Sequence, residues 1–173
     1  MKVRLSTKND LIQIKDSIID AQKYLASLNI DQWQDGYPDE RQILQDIALK
    51  ESYVVEDDKE IIGTFMFTTR VDPNYKSIQG EWLVSENEGY GVVHRIAVRE
   101  QHRGKGFANF VFDFCEKQLL SNEIPSFKID THKDNKGMQH LLEKRNFDYC
   151  GIITLSTGGL RMAYEKVLLP SFN

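Results

Sequence analysis

Two repeating patterns of apolar and polar residues mark out the helices and strands of this chain. After residue 10, apolar side chains recur every three or four residues, which predicts a long helix with one buried stripe: Leu11, Ile14, Ile18, Ala21, Leu25 and Leu28. Thr7 and Asp10, just before this helix, have the spacing of a capping box, in which each residue satisfies a free backbone amide. A second helix is predicted over residues 39–50, with four apolar positions facing inward: Ile43, Leu44, Ile47 and Ala48.

Strands are predicted where β-branched and aromatic residues replace the helical period. A short strand covers residues 2–5, and residues 53–55 and 61–69 form a hairpin around a polar turn. Later strands and helices alternate, with strands at 90–98, 127–131, 147–155 and 161–167 and helices at 107–120 and 137–145. Because no repeat, low-complexity tract or linker separates these segments, we expect one α+β domain over residues 1–173.

Composition and charge narrow the classes of function. The 173 residues are 40% hydrophobic and 28% charged, which is ordinary for a globular protein. A net charge of -4 disfavours nucleic acid as a partner, since binding its backbone needs a basic surface. The apolar runs are too short to span a membrane, and the N-terminus lacks the apolar stretch of a signal peptide, so we expect a cytoplasmic protein. The oligomeric state stays open, and a homodimer is among the alternatives.

Cysteines and histidines point neither to a disulfide framework nor to a metal. Cys115 and Cys150 are too few for a set of structural disulfides. The histidines and cysteines also lack the paired spacing that zinc sites use, so no metal is expected.

The most informative stretch is a strand, a glycine turn and a helix. Residues 93–98 are followed by Arg103-Gly104-Lys105-Gly106 and then by the helix from Phe107. A helix start offers unpaired amides and partial positive charge, and glycines let the backbone approach a phosphate closely. The dinucleotide-binding motif would need a glycine at position 109, and the P-loop would need Lys-Ser or Lys-Thr; both are absent. Taken alone, the four residues also fit a plain tight turn.

The segment Gln101-His102-Arg103-Gly104-Lys105-Gly106-Phe107-Ala108 resembles the acetyl-CoA motif of the GNAT family of N-acetyltransferases, Gln/Arg-x-x-Gly-x-Gly/Ala. Residues 96–98 stand where that family has its central strand. A second coenzyme segment of the family is matched in register by Asn135, Met138, Leu141, Leu142, Glu143, Lys144 and Phe147. The resemblance, which covers about residues 3–166, implies a single α+β domain with a mixed, mostly antiparallel sheet that is splayed at its centre and flanked by helices.

The resemblance also implies how acetyl-CoA, the co-substrate, would bind between the strand ending at Val98 and the strand ending near Thr131. The pantetheine arm would lie as an extra strand beside residues 96–98, and the pyrophosphate would contact the amides of residues 103–108. Asn135 would hydrogen bond the pantetheine, although a plain helix cap is the alternative. The implied coenzyme-binding residues are Ile96, Ala97, Val98, Arg103, Gly104, Lys105, Gly106, Phe107, Ala108 and Asn135.

Two positions depart from the family's pattern. The tyrosine that often acts as its general acid is replaced by Leu142, and the usual glycine before Phe147 is Asn146. Transfer to an amine still requires a neutral nucleophile, so a carboxylate or an imidazole should take up a proton. Asp130 and His94 are the catalytic candidates, and an equal alternative for Asp130 is a bond that holds neighbouring strands together.

Aromatic residues in two predicted loops indicate an acceptor pocket, because aromatic faces suit a cationic amine. The candidate substrate-binding residues are Trp33, Tyr37, Trp82 and His132. Trp33 and Tyr37 could instead cover the edge of the core. Tyr75 is a further aromatic residue near the predicted pocket, and for it the structural role is favoured. The strings around Trp33, His94 and His132 resemble a bacterial branch of the family whose acceptor the resemblance does not identify.

We therefore predict an N-acetyltransferase that moves an acetyl group from acetyl-CoA to a primary amine of a small molecule or peptide. The alternative is a catalytically silent acyl-CoA-binding module that senses coenzyme or recruits a partner. The replacement of the tyrosine by Leu142 favours the alternative, and the polar residues near the aromatic pocket favour the enzyme.

Overall fold

Strands and helices follow the predicted order in the computed structural model, which describes residues 1–169. Within those residues the strands are β1 (Lys2–Leu5), β2 (Ser52–Asp57), β3 (Glu60–Thr68), β4 (Ile78–Gly80), β5 (Tyr90–Val98), β6 (Ser126–Thr131), β7 (Asp148–Thr154) and β8 (Leu160–Val167). The α-helices of the same range are α1 (Leu11–Ser27), α2 (Glu40–Ala48), α3 (Phe107–Ser121) and α4 (Lys136–Lys144). The extension of a single domain over residues 1–173 stays a prediction, and residues 170–173 lie outside the described ones.

The strands belong to one mixed, mostly antiparallel sheet, as predicted. The chain divides into two compact units: residues 1–68 with 93–114 form the first, and the second contains residues 69–92 and those from 115 onward. In the first unit the strand order is β1-β2-β3-β5, and in the second it is β5-β6-β8-β7-β4, because β5 begins in one unit and ends in the other.

The parallel pairing at the centre of the sheet is short. β5 and β6 are parallel and pair only from Tyr90↔Ser126 to Val92↔Lys128 within the described residues. Yet β5 continues to Val98 and β6 to Thr131. The ladder between the two strands is therefore much shorter than the strands themselves.

The first unit buries the apolar face of α1 and α2 against its strands. Ile14 and Ile18 of α1, Ile43 of α2, Val54 of β2 and Ala97 of β5 form one buried cluster. The capping box predicted before α1 is present, with the Thr7 amide donating to the Asp10 carboxylate at 2.7 Å. Two of the predicted inward positions are wrong: Leu28 is 50% exposed because the helix ends one residue earlier, and Ala48 is exposed at the end of α2.

The second unit has its own core around Tyr75, Tyr90 and Val92. Its strand β4 was not predicted, since it has only three residues and lies in a segment rich in polar residues. Gly80 in β4 has a φ of 139°, and a Cβ there would collide with the backbone of Cys150. This close approach to β7 therefore requires glycine. None of the helices within residues 1–169 has the length and apolar character to cross a membrane.

Candidate active site

The turn between β5 and α3 has an open outer side. Gly104 and Gly106 have φ angles of 75° and 84°, in the left-handed region that favours glycine. A Cβ built on either glycine would meet no atom within 4 Å, so these glycines are required by the backbone conformation and not by neighbouring side chains. The Phe110 amide donates to the Gly106 carbonyl at 3.0 Å. A helix start of this kind offers backbone amides to a ligand. The turn therefore presents backbone donors and free space together.

Asp20 of α1 holds this turn in place. Its carboxylate accepts hydrogen bonds from Arg99 Nε at 2.8 Å and from the Glu100 amide at 3.1 Å. Burial alone would raise the pKa of Asp20, but the bonds from the Glu100 amide and Arg99 outweigh it and hold that pKa below its ordinary value. Asp20 is therefore ionised at neutral pH and anchors the turn to α1. The sequence pattern did not indicate this role, because no motif links position 20 to position 99.

Arg103, one of the two cations predicted to face a phosphate, has a defined position. Its guanidinium lies 4.0 Å from the centroid of the Tyr24 ring, and Nη2 donates to the Asp20 carbonyl at 3.3 Å. Lys105 is exposed. Both cations flank the start of α3, where the partial positive charge of the helix also favours an anion.

The side chains of the predicted coenzyme strand belong largely to the core. Ala97 is 2% exposed and Phe107 is 4% exposed, and both are buried in the first unit. Ile96, Val98 and Ala108 are partly buried. A ligand beside this strand would therefore meet Ala97 and Phe107 through their backbone and not through their side chains.

Asn135 starts α4 in the second unit, where it is the N-cap. Its side-chain oxygen accepts a hydrogen bond from the Met138 amide at 3.1 Å. The capping role is therefore confirmed, and the bond to pantetheine stays a prediction. Leu142, in the position of the family's tyrosine, has an exposed fraction of 0%, and Asn146 has the left-handed conformation (φ 60°) expected from the replaced glycine.

The two catalytic candidates lie in different units. Asp130 is half-buried on β6 and accepts a hydrogen bond from the Tyr75 hydroxyl at 2.8 Å. Tyr75 is 3% exposed; burial and the charge of Asp130 raise its pKa well above the ordinary value, so Tyr75 is a neutral donor. His94 is half-buried on the part of β5 that belongs to the first unit. The partner of Asp130, Tyr75, lies outside the strands, so neither the strand-holding bond nor the catalytic role is shown, and both stay predictions.

The candidate acceptor-binding residues are also distributed over the two units. In the first unit, Trp33 packs against the cluster of Ile14 and Ile18, and Tyr37 is 39% exposed. In the second unit, Trp82 Nε1 donates to the Tyr75 carbonyl at 2.9 Å. His132 follows β6, and its Nδ1 accepts from the Asp134 amide at 3.2 Å. The structure brings Trp33 and Tyr37 into one unit, and Trp82 and His132 into the other.

A polar network in the first unit was not predicted. Arg95 on β5 donates to the Asp46 carboxylate of α2 from Nε at 2.8 Å, and Nη2 also lies 2.8 Å from that carboxylate. Gln42 donates to the other Asp46 oxygen at 2.9 Å, and Arg95 Nη1 donates to the Tyr37 hydroxyl at 2.7 Å. Burial raises the pKa of Asp46 in spite of the neighbouring guanidinium. The signal in the sequence was an acid at position 46 on the helix face that also carries Ile43.

A second unpredicted network lies in the interior of the second unit. Lys128 Nζ lies 3.8 Å from a Glu165 carboxylate oxygen and within 4.5 Å of the ring centroids of Trp82 and Tyr90. The other Glu165 oxygen accepts from the Leu83 amide at 2.5 Å. Burial lowers the pKa of Lys128. This ion pair fixes the segment around Trp82 on the sheet.

Comparison with known proteins agrees with this arrangement. The family model of the GNAT acetyltransferases matches residues 20–147. The crystal structure of a GNAT-family acetyltransferase from Streptococcus agalactiae superposes on this chain with a TM-score of 0.85. The two sequences are 33% identical, and the match covers 96% of this chain and 94% of the other. A GNAT acetyltransferase of Listeria monocytogenes, at 21% identity, shares the fold, with a TM-score of 0.75 and coverage of 96% and 94%.

A curated acetyltransferase of Pectobacterium atrosepticum is 28% identical over 82 residues, which is 45% of this chain. The matched part spans only 58% of the length of that relative. The family model, by contrast, extends from α1 to the end of α4 and contains the whole glycine turn. The chain therefore belongs to the GNAT acetyltransferase family.

Proposed function

We propose that this protein transfers an acetyl group from acetyl-CoA to a primary amine of a small molecule or peptide. The observation that carries the proposal is the turn from Arg103 to Gly106, with two left-handed glycines whose outer side is open and a helix start directly behind them. A phosphate group fits such a turn because amides and cations converge there without an intervening Cβ.

The coenzyme would use the backbone of the first unit. The pyrophosphate would contact the amides of residues 103–108, with Arg103 and Lys105 supplying positive charge. The pantetheine arm would then extend along residues 96–98 as an added strand. Burial of the Ala97 and Phe107 side chains supports recognition through the backbone. Asn135 would hydrogen bond the arm while it caps α4.

The reaction joins the amine to the acetyl carbon and releases coenzyme A. The lone pair of the neutral amine attacks the thioester carbonyl carbon, a C–N bond forms, and the C–S bond breaks. The sulfur leaves as a thiolate with the electron pair of that bond. A thiol has a pKa of about 8.5, so the thiolate is a tolerable leaving group even though Leu142 has no proton to donate. The nitrogen loses one proton, which ends on the thiolate or in solvent.

Asp130 and His94 are the proposed proton acceptors, directly or through water. A primary amine is mostly protonated at neutral pH, so a base beside it raises the fraction that can attack. The hydrogen bond from Tyr75 leaves the Asp130 carboxylate further lone pairs, because a carboxylate has about four acceptor positions. Trp33, Tyr37, Trp82 and His132 are the proposed acceptor-binding residues.

The test is release of free thiol from acetyl-CoA against a panel of primary amines. The proposal expects release that depends on both protein and amine. Acetyl-CoA should also raise the melting temperature, since a ligand that binds only the native state stabilises it. A melting shift without amine-dependent release would support the silent coenzyme-binding module instead.

A further inference from the structure

The Arg95 guanidinium makes hydrogen bonds and an ion pair within the first unit and keeps further donors for a ligand. Nε and Nη2 form the edge that faces Asp46, and both lie 2.8 Å from the same carboxylate oxygen. Nη1 donates to the Tyr37 hydroxyl at 2.7 Å. A guanidinium carries five N–H groups, so these contacts leave one N–H on Nη1 and one on Nη2 without an acceptor among residues 1–169.

Nη1 and Nη2 form the end of a guanidinium that can bind a carboxylate with two parallel hydrogen bonds, and each of these atoms keeps one remaining donor. Asp46 and Tyr37 fix the plane of this fork from two sides, so little side-chain entropy is lost when an anion binds. The Arg95 side chain is 11% exposed and that of Asp46 is 6% exposed, which limits competition from water.

The backbone at Arg95 is strained. Its φ of 53° lies in the left-handed region, which a non-glycine residue rarely adopts and which interrupts the regular course of β5. Such strain costs free energy and is concentrated at functional sites.

Apolar side chains lie close to Arg95. Arg95 and Asp46 line a small cavity together with the apolar side chains of Ile14, Ile18 and Ile43. Trp33 packs against the same apolar residues. Arg95 directly precedes residues 96–98, beside which the pantetheine arm would extend, so it follows the end of that segment that is farther from the glycine turn.

We propose that the acceptor amine also carries a carboxylate, as an amino acid does, and that Arg95 binds this carboxylate through its free end. Asp46 and Tyr37 are positioning residues that hold the guanidinium. The inference rests on the proposed function and specifies the substrate class of that site.

The experiment compares matched amines in the thiol-release assay: L-leucine with isoamylamine, and L-phenylalanine with phenethylamine. The wild-type protein should show a kcat/KM at least about tenfold higher for the amino acid of each pair. Arg95→Lys keeps the charge but loses the fork, and should lower this preference on the order of 10- to 100-fold, mainly through KM of the amino acid. Arg41→Lys, on the exposed face of α2, is the control and should leave the preference unchanged.

Tyr37→Phe provides a second variant if Arg95→Lys does not fold, which a thermal melt will show. It frees Nη1 from its hydroxyl partner and should also weaken the preference for the amino acids. Equal or faster turnover of the carboxylate-free amines, or a preference that survives both substitutions, would overturn the inference and leave the acetyltransferase proposal intact. No thiol release from any amine would instead refute the acetyltransferase proposal.

Discussion

Gly106→Ala separates the two requirements placed on the glycine turn, backbone conformation and access for a ligand. The φ of 84° at this position disfavours any L-residue with a side chain, at about 1–2 kcal/mol. The added Cβ would meet no atom within 4 Å, so no clash adds to this cost. For a chain of this size, the melting temperature should fall by roughly 2–8 °C.

Gly158→Ala is the matched control. Gly158 lies in the turn between β7 and β8, has a φ of 87°, and would also bear a Cβ that meets no atom within 4 Å. Both variants should therefore lose similar stability. Only Gly106→Ala places a methyl group on the open side of the coenzyme turn.

The assay is calorimetric titration with acetyl-CoA. Gly106→Ala should weaken binding by roughly tenfold or more, because the methyl group displaces a phosphate from hydrogen bonds that involve a charged group. Gly158→Ala should bind as the wild type does. The reasoning is refuted if Gly106→Ala binds acetyl-CoA with wild-type affinity, or if both variants lose affinity equally.

The remaining predictions concern the base, the acceptor pocket and acid stability. Asp130→Asn keeps an acceptor for the Tyr75 hydroxyl but removes the basic carboxylate, so kcat should fall about 10²–10⁴-fold while acetyl-CoA binding is retained. A normal kcat together with reduced stability would identify a purely structural bond. His94→Gln is the parallel variant, and its pH–rate profile should lose the ascending limb if His94 is the base. Trp33→Ala should raise KM for the acceptor and leave acetyl-CoA affinity nearly unchanged. The pKa of Asp10 is lowered from 3.8 to about 2, chiefly by its hydrogen bonds with Arg4. The ionised carboxylate therefore stabilises the fold above about pH 4. This contribution is lost as the pH falls towards 2. Asp10→Asn should therefore cost roughly 2 kcal/mol in urea unfolding at pH 7, and the difference from wild type should shrink to a small part of this as the pH approaches 2.

The fold was largely predictable because its elements carry strong local patterns. The stripe on α1, the hairpin of β2 and β3, and the strand–turn–helix around Gly104 each depend on residues close together in the chain. The left-handed conformation of Asn146 was also predictable, since asparagine tolerates it better than other non-glycine residues. Strand β4 was not predicted because three residues are too few to show an alternating pattern.

The site was predictable only where a motif is local. The interaction of Asp46 with Arg95 joins residues 49 positions apart, and that of Lys128 with Glu165 joins strands that only the folded sheet brings together. Lys128 lies in the interior, with an exposed fraction of 1%. Charged residues that pair in the interior break the rule that polar positions face water, so pattern alone assigns them to the surface.

The central claim is transfer of the acetyl group to nitrogen, and product analysis with labelled acetyl-CoA tests it most directly. The protein is incubated with coenzyme deuterated in the acetyl group and with the amine that releases most thiol, and the products are separated and analysed by mass spectrometry. The account predicts that the deuterated acetyl group appears on the amine nitrogen in amounts equal to the free coenzyme A. Label that stays on the coenzyme, or that appears only as free acetate, would contradict it.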